Sequence, residues 1–427
     1  MCQWTIFMKR EMGMEFIHFS VEVFSRFVFF YPLIMSLLWM AGALLFYLYR
    51  ERHESVDFES INWPMVSFVV PCYNEESTIR ETIRHLSEMP YPKKEIIAIN
   101  DGSTDGTAEV LEHLARQYKA LRVINCAENC GKANRLHLAC HAANAEYLIC
   151  VDADAILDSD AAYYLVYQFL HKGERVGAVT GNPRVRNRST LLSKLQIVEY
   201  ASIVGSIKRT QRMIGKVMTV SGVVVAFRKK ALVDVGLWDR DMITEDIAVS
   251  WKLQRRFWDI RYEPRALCWM LVPETIRGIW KQRLRWAQGG EEVLLRHGTI
   301  FLDWKQRRLW PIYLEQCASV FWSFSWILLM IWKQLTAQSW QEHVIWLSYA
   351  SFVLVAMSFL QLLTATLIDS KHDDVRRYLL VACWYPIFYW MLSTLVVIVA
   401  FPKAVRARLR GGYAVWASPD RGTNKPL

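Results

Sequence analysis

Several marks of familiar protein classes are missing from this sequence, and each absence narrows the reading. No run of basic residues alternates with base-stacking aromatics, so the net charge of +10 does not point to nucleic acid. The nine cysteines are odd in number and lie mostly in apolar stretches, which fits a reduced compartment rather than a disulfide framework. Cys126, Cys130, His137 and His141 form the one cluster that invites a metal. Their spacing is not that of a zinc finger, and both histidines fall on a helix expected to cover a sheet. No internal repeat or low-complexity tract is evident. The first apolar stretch has no small-residue cleavage site after it and reads as a retained anchor, not a signal peptide.

Long apolar runs, by contrast, are abundant. Phe27 to Leu48, Gln316 to Trp332, Val344 to Ile368 and Tyr378 to Phe401 carry no charge and are long enough to cross hydrocarbon. Aromatics such as Tyr378, Trp384 and Trp390 suit interfacial anchoring. Arg50, Arg52, Lys305, Arg307 and Arg308 flank the polar stretch between the first and second runs, which places that stretch in the cytosol. The expected layout is an N-terminal flank and span over 1–61, a cytosolic domain over 62–310, three membrane segments over 311–402 and a basic tail over 403–427. Four crossings would leave the C-terminus outside, whereas Lys403, Arg406, Arg408 and Arg410 favour the inside. The two agree only if one run does not cross or the N-terminal flank enters the membrane. From Gly411 the chain reads as a loop, with turn residues at Ser418-Pro419-Asp420.

Within the polar stretch, β-branched runs alternate with amphipathic ones. Strands are predicted over Val66–Val70, Glu95–Asn100, Leu121–Asn125 and Tyr147–Val151, with helices over Glu75–Leu86, Thr107–Tyr118 and Ala133–Asn144. Strands that are apolar nearly throughout, separated by helices, indicate a parallel sheet covered on both faces. Ligands of such sheets gather beyond the strands' carboxyl ends. Here those ends are Pro71 to Glu75, Asn100 to Asp105, and Asp152 to Asp154, all polar or acidic. Farther on, Leu191 to Met213 carries Leu192, Leu195, Ile203 and Ile207 on one side and Lys208, Arg209 and Arg212 at its end. That pattern suits a helix on the membrane surface and an ordinary domain helix equally.

Asp152 and Asp154 can converge on a hard divalent cation that bridges a diphosphate. Asp-x-Asp triplets are common in turns, and only the position at a strand end gives this one weight. Asp101 can accept hydrogen bonds from the polar edge of a base, while Asp105 suits the cap of the helix from Thr107. In Thr244-Glu245-Asp246, a carboxylate can take the proton of an acceptor hydroxyl; the same triplet also reads as a capped helix start. Gln282-Arg283-Leu284-Arg285-Trp286 offers two guanidinium groups for phosphate oxygens and an indole for a sugar face, or else a plain basic surface helix. Lys132, at a helix start, suits an anion.

Asp101, the Asp152/Asp154 pair, the triplet ending at Asp246, and Gln282, Arg285 and Trp286 together resemble the four ordered motifs of processive family 2 glycosyltransferases. The resemblance implies an α/β, Rossmann-like GT-A domain joined to transmembrane helices. It implies that Asp101 holds uridine, that Asp152 and Asp154 hold Mg2+ or Mn2+, and that Asp246, beside Glu245, is the catalytic base. Gln282, Arg285 and Trp286 would sit near the diphosphate and growing chain, Arg283 and Lys132 near phosphate, and Tyr73 and Glu75 at the nucleotide. Ser221 and Gly222 stay unassigned, as backbone or acceptor-channel residues.

The likeness narrows, through Ala178 to Arg184, Ile207 to Arg212, Asp241 to Asp246 and Trp416 to Gly422, to bacterial synthases of poly-β-1,6-N-acetylglucosamine. Some of these carry an extra span before the one at Phe27. This implies UDP-N-acetylglucosamine as donor, a growing polysaccharide as acceptor and the bacterial inner membrane as location. A small two-span membrane partner and control by a cyclic dinucleotide are implied too. The residues alone do not separate this product from hyaluronan, chitin or cellulose, nor a polymerase from a single-transfer enzyme acting on a lipid. A catalytically silent scaffold would need broken acidic motifs, and all are intact.

Overall fold

The structure, a computed structural model, describes residues 2–52, 56–336 and 339–410. The loop expected from Gly411 onward, including Trp416 to Gly422, lies outside the described residues. The chain opens with one long helix, α1 (Cys2–Phe46), continued by a π-helical turn over Tyr47–Glu51. The central domain then alternates β1 (Val66–Cys72), α2 (Ile79–Glu88), β2 (Lys94–Asp101), α3 (Thr107–Gln117), β3 (Leu121–Cys126), α4 (Lys132–Ala142) and β4 (Tyr147–Val151). These differ from the sequence expectation by a few residues at their ends, where helix caps and strand edges carry the weakest signal.

After β4 come β5 (Ile156–Leu157), α5 (Ala161–His171), β6 (Val176–Val185), α6 (Leu191–Tyr200), α7 (Lys208–Ile214), β7 (Val224–Arg228), α8 (Lys229–Asp234), α9 (Glu245–Arg255) and β8 (Asp259–Met270). The eight strands form one mixed sheet in the order β3-β2-β1-β4-β7-β6-β8-β5. β1 pairs in parallel with β2 and β4, and β2 with β3, so their carboxyl ends share one edge. β7 runs antiparallel between β4 and β6. Every residue of β1 is buried because helices cover both faces. On α2, Ile79, Ile83 and Leu86 recur at helical spacing and are buried, each contributing about 1.5–3 kcal/mol of hydrophobic stabilisation.

α10 (Ile276–His297) closes the domain and leads to α11 (Trp310–Thr336), α12 (Trp340–Asp369) and α13 (Tyr385–Arg410). Among the described residues, three helices are long and apolar enough to cross a membrane: Phe19–Glu51, Trp310–Thr336 and Phe352–Asp369. The fourth apolar run is not one helix, since a 3-10 segment over Arg376–Trp384 precedes α13. α13 packs on both the domain and a candidate span: Tyr389, Leu392 and Val396 meet Ile279 of α10 and Leu195 of α6, and Phe401 meets Phe324 of α11.

The helical expectation over Leu191 to Met213 is met by α6 and α7 joined through a π-helical segment over Ala201–Ile207. Its basic end, however, is not turned to water. Lys208 and Arg209 are buried, Arg209 completely. Arg209 bonds Glu51 through Nε at 2.8 Å and Asp369 through Nη1 at 2.6 Å, and Arg184 of β6 reaches Asp369 at 2.9 Å. His372 completes the network on Glu51 at 2.7 Å. Carboxylates from the ends of α1 and α12, remote in sequence, thus neutralise cations that the sequence alone would send to water.

Candidate active site

The polar strand ends converge on a cavity of about 450 Å3 at the carboxyl edge of the sheet. Asp152, Ala153 and Asp154 reach it directly after β4. Glu245 and Asp246 reach it from the first turn of α9, where a helix N-terminus favours carboxylates. Gln282, Arg285 and Trp286 reach it from one face of α10, as residues three and four apart must. Glu75 and Lys132 line the same space.

Lys132 is the cationic hinge of this group. Its ammonium lies 2.7 Å from Asp152 Oδ1 and 3.1 Å from Glu245 Oε1. Burial works against its charge, but Asp152 and Glu245 outweigh burial and hold the lysine protonated well above its usual range. For Glu245, burial is likewise overcome by Lys132, and its carboxyl is held low. Asp246 goes the other way: burial, then the adjacent Glu245 charge, raise its pKa and make it the more basic of the pair. Its Oδ1 accepts from Ile247 N–H at 2.9 Å and its Oδ2 from Gly222 N–H at 3.3 Å. A Cβ at Gly222 would stand 3.2 Å from Asp246 Oδ2, so the backbone there is close enough to cradle the carboxylate.

Asp101 ends β2 and is almost fully buried. It accepts from the backbone N–H groups of Cys130 at 2.9 Å and Gly131 at 3.0 Å, and pairs with Arg135. Asp101 therefore fixes the loop that delivers Lys132. Asp105 accepts from Thr107 N–H at 3.1 Å at the start of α3. Tyr73 follows β1 directly but does not line the cavity, whereas Glu75 does, its Oε2 accepting from Thr78 Oγ1 at 2.8 Å.

Arg283 is not brought to the cavity. It points elsewhere on α10, pairs with buried Glu199 and stacks 4.2 Å from the Trp286 ring. The expected phosphate contact is replaced by a support for the indole, which also meets Tyr200 edge-on at 6.4 Å. Sequence reasoning missed Arg135, Lys208 and the membrane-helix wall of Trp39, Glu315, Gln316 and Ser319. Lys208 lines the cavity, 2.6 Å from Ser221 Oγ, and burial pushes it down to about 7. The one sequence signal for the wall was polarity inside an apolar run, at Gln316 and Ser319.

The donor set suits a hard divalent cation. Asp154, 8% exposed, and Asp152 present carboxylate oxygens to one cavity, and the Lys132 ammonium on Asp152 shows that a positive charge is stable there. Among the described residues no group of three or more metal-ligating side chains exists. A cation here would rely on substrate oxygens to complete its shell.

Residues 64–289 match a family model described as "Glycosyltransferase like family 2". The poly-β-1,6-N-acetyl-D-glucosamine synthase of Staphylococcus epidermidis is 44% identical over 407 residues, covering 93% of this chain and 98% of its own. The enzyme of the same name from Staphylococcus aureus strain COL is 44% identical over 412 residues, covering 94% and 99%. In structure, the chain resembles the mannosyltransferase PcManGT of Pyrobaculum calidifontis, solved with GDP-Man and Mn2+. The TM-score is 0.56 at 19% identity, covering 85% of this chain and 99% of that one. That likeness shows a GT-A fold.

Proposed function

Because the chain belongs to the family 2 glycosyltransferases, we propose that it polymerises N-acetylglucosamine from UDP-N-acetylglucosamine into a β-1,6-linked chain with inversion at the anomeric carbon. The observation that carries this reading is the single cavity shared by Asp152, Asp154, Asp246, Gln282, Arg285 and Trp286. Asp246 takes the proton from the hydroxyl at the non-reducing end of the acceptor. That oxygen forms a bond to the anomeric carbon as the bond to UDP breaks, the electron pair leaving with the nucleotide. One base and one displacement need no covalent sugar intermediate. Lys132 and Arg285 place positive charge beside the departing diphosphate. Asp154 and Asp152 would hold Mg2+ or Mn2+, which supplies charge neutralisation of the leaving group. Trp286, held by Arg283 and Tyr200, offers its face to the acceptor sugar, and Asp101 orders the loop around the uridine.

The cavity wall runs on to Trp39 of α1 and to Gln316 and Ser319 of α11, which supports exit of the product between membrane helices. A polar polymer cannot cross hydrocarbon unaided. In this reading both the domain and the C-terminus lie in the cytosol, which Lys403, Arg406 and Arg408 support. The inner membrane and a small two-span subunit belong to the same proposal.

The test is to offer UDP-N-acetylglucosamine, UDP-glucose and UDP-glucuronate separately to purified enzyme in proteoliposomes. Polymer from the first alone, susceptible to a β-1,6-specific hydrolase, is expected. Polymer from either of the others alone, or products of one added sugar, would replace this reading.

A further inference from the structure

A short strap, residues 219–222, leads into β7 and lines the reaction cavity together with Asp246. It is tied to α9 twice. Val220 N–H donates to Ser250 Oγ at 2.9 Å, and that hydroxyl donates to Asp246 O at 2.6 Å. Gly222 N–H donates to the Asp246 carboxylate itself, at Oδ2. Ser221 stands between these two residues, and its own ties run to α7 and β6. Lys208 of α7 donates to Ser221 Oγ at 2.6 Å and to Thr180 Oγ1 of β6 at 3.2 Å. The same Thr180 hydroxyl accepts from Ser221 N–H at 2.8 Å. Lys208, Thr180 and Ser221 thus close a ring of hydrogen bonds immediately before the glycine that grips the carboxylate.

A lysine is a costly occupant of that place. It is 5% exposed, and burial works against its charge while the Asp246 carboxylate works for it. Methionine would fill similar space with no charge to desolvate. What methionine cannot do is donate to two hydroxyls at once.

We infer that Lys208 is a positioning residue for the transfer reaction: by holding Ser221 against β6 it keeps the Gly222 N–H on Asp246 Oδ2. The inference rests on Asp246 being the base. A backbone N–H on a carboxylate favours its charged form, so a slackened strap raises the pKa of the base further. It also lets the carboxylate turn away from the hydroxyl it must deprotonate, and small misplacements of a base are expensive in rate. Lys132, Arg285 and the Asp152/Asp154 pair reach the cavity from other elements, so the donor side of the site is not hung on this strap. The loss therefore falls on kcat, not on donor binding.

The test is steady-state UDP release by the full chain in proteoliposomes, comparing wild type with Lys208→Met, Ser221→Ala and the double variant, each with a pH profile and a thermal melt. Lys208→Met is expected to lower kcat by about tenfold or more with the KM for UDP-N-acetylglucosamine near wild type. The acid limb of its kcat/KM profile should move to higher pH, while Glu245, Lys132 and Arg285, the other charges acting on Asp246, stay in place. Ser221→Ala should act in the same direction. The double variant should be no slower than the slower single, since both changes cut one tie. Undiminished kcat in either single variant, or losses that add in the double, overturns the positioning role. A fall in kcat that comes with a lowered melting temperature and an unmoved acid limb makes Lys208 structural only and overturns it too. Polymer synthesis by Asp246→Asn would remove the base itself, a separate result read on a separate variant.

Discussion

Two steps along an α-helix rotate a side chain by about 200°, which is why Arg285 faces the reaction cavity while Arg283 is turned to Glu199. The two arginines should therefore fail differently. Arg285→Ala is expected to raise the donor KM and lower kcat with little loss of thermal stability. Arg283→Ala leaves Glu199, already pushed up to about 7 by burial, without its partner. Breaking such a buried pair costs about 3–5 kcal/mol, so a lowered melting temperature should accompany any loss of activity. Thermal unfolding and steady-state kinetics on both variants check this. At Asp246, Asp246→Asn should abolish polymer synthesis while UDP-sugar binding by calorimetry persists. Because the pKa of Asp246 is raised, its basic form is lost earlier as pH falls, so the acid limb of the kcat/KM profile should lie above the ordinary aspartate value of 3.8. A limb at or below that value would contradict the assignment. Asp152, Asp154, Asp246 and Lys132 were legible because strand ends and helix starts fix where their side chains go. Arg283 was not, since adjacency in sequence does not reveal the helix face.

Among the elements, the central strands and helices from Val66 to Val151 were readable from periodicity, each burying a face that the pattern announces. The segment from Leu191 was readable as helical but not as buried, because its partners come from the ends of α1 and α12. Close approach of α1 and α7 depends on Gly42, where a Cβ would overlap Thr210, whose hydroxyl donates to Trp39 O at 3.0 Å. Gly42→Leu should force these helices apart and displace Lys208 and Gln211, lowering polymer yield at unchanged protein level. Yield against immunoblot signal in membranes measures it, and Gly42→Ala should have the milder effect. The fourth apolar run was readable as apolar but not as interrupted, since a 3-10 segment over Arg376–Trp384 precedes α13, whose apolar residues meet α10, α6 and α11.

At the scale of the molecule, the domain and the membrane helices are not separable units. Arg184 and Arg209, both buried in the central domain, draw their counter-charges from Asp369 and Glu51 at the ends of membrane helices. Residues 62–310 expressed alone should aggregate or melt far below the full chain, since removing partners strands two cations in an apolar setting. A soluble, well-folded fragment by circular dichroism would refute this. Sequence boundaries drawn from hydropathy placed a seam where the ion network places a weld. If heating must break that weld before either side can open, calorimetry of the intact protein in detergent should show one cooperative melting event, not a soluble-domain peak followed by a membrane peak. Catalytic power and membrane integrity would then be lost together, at one temperature.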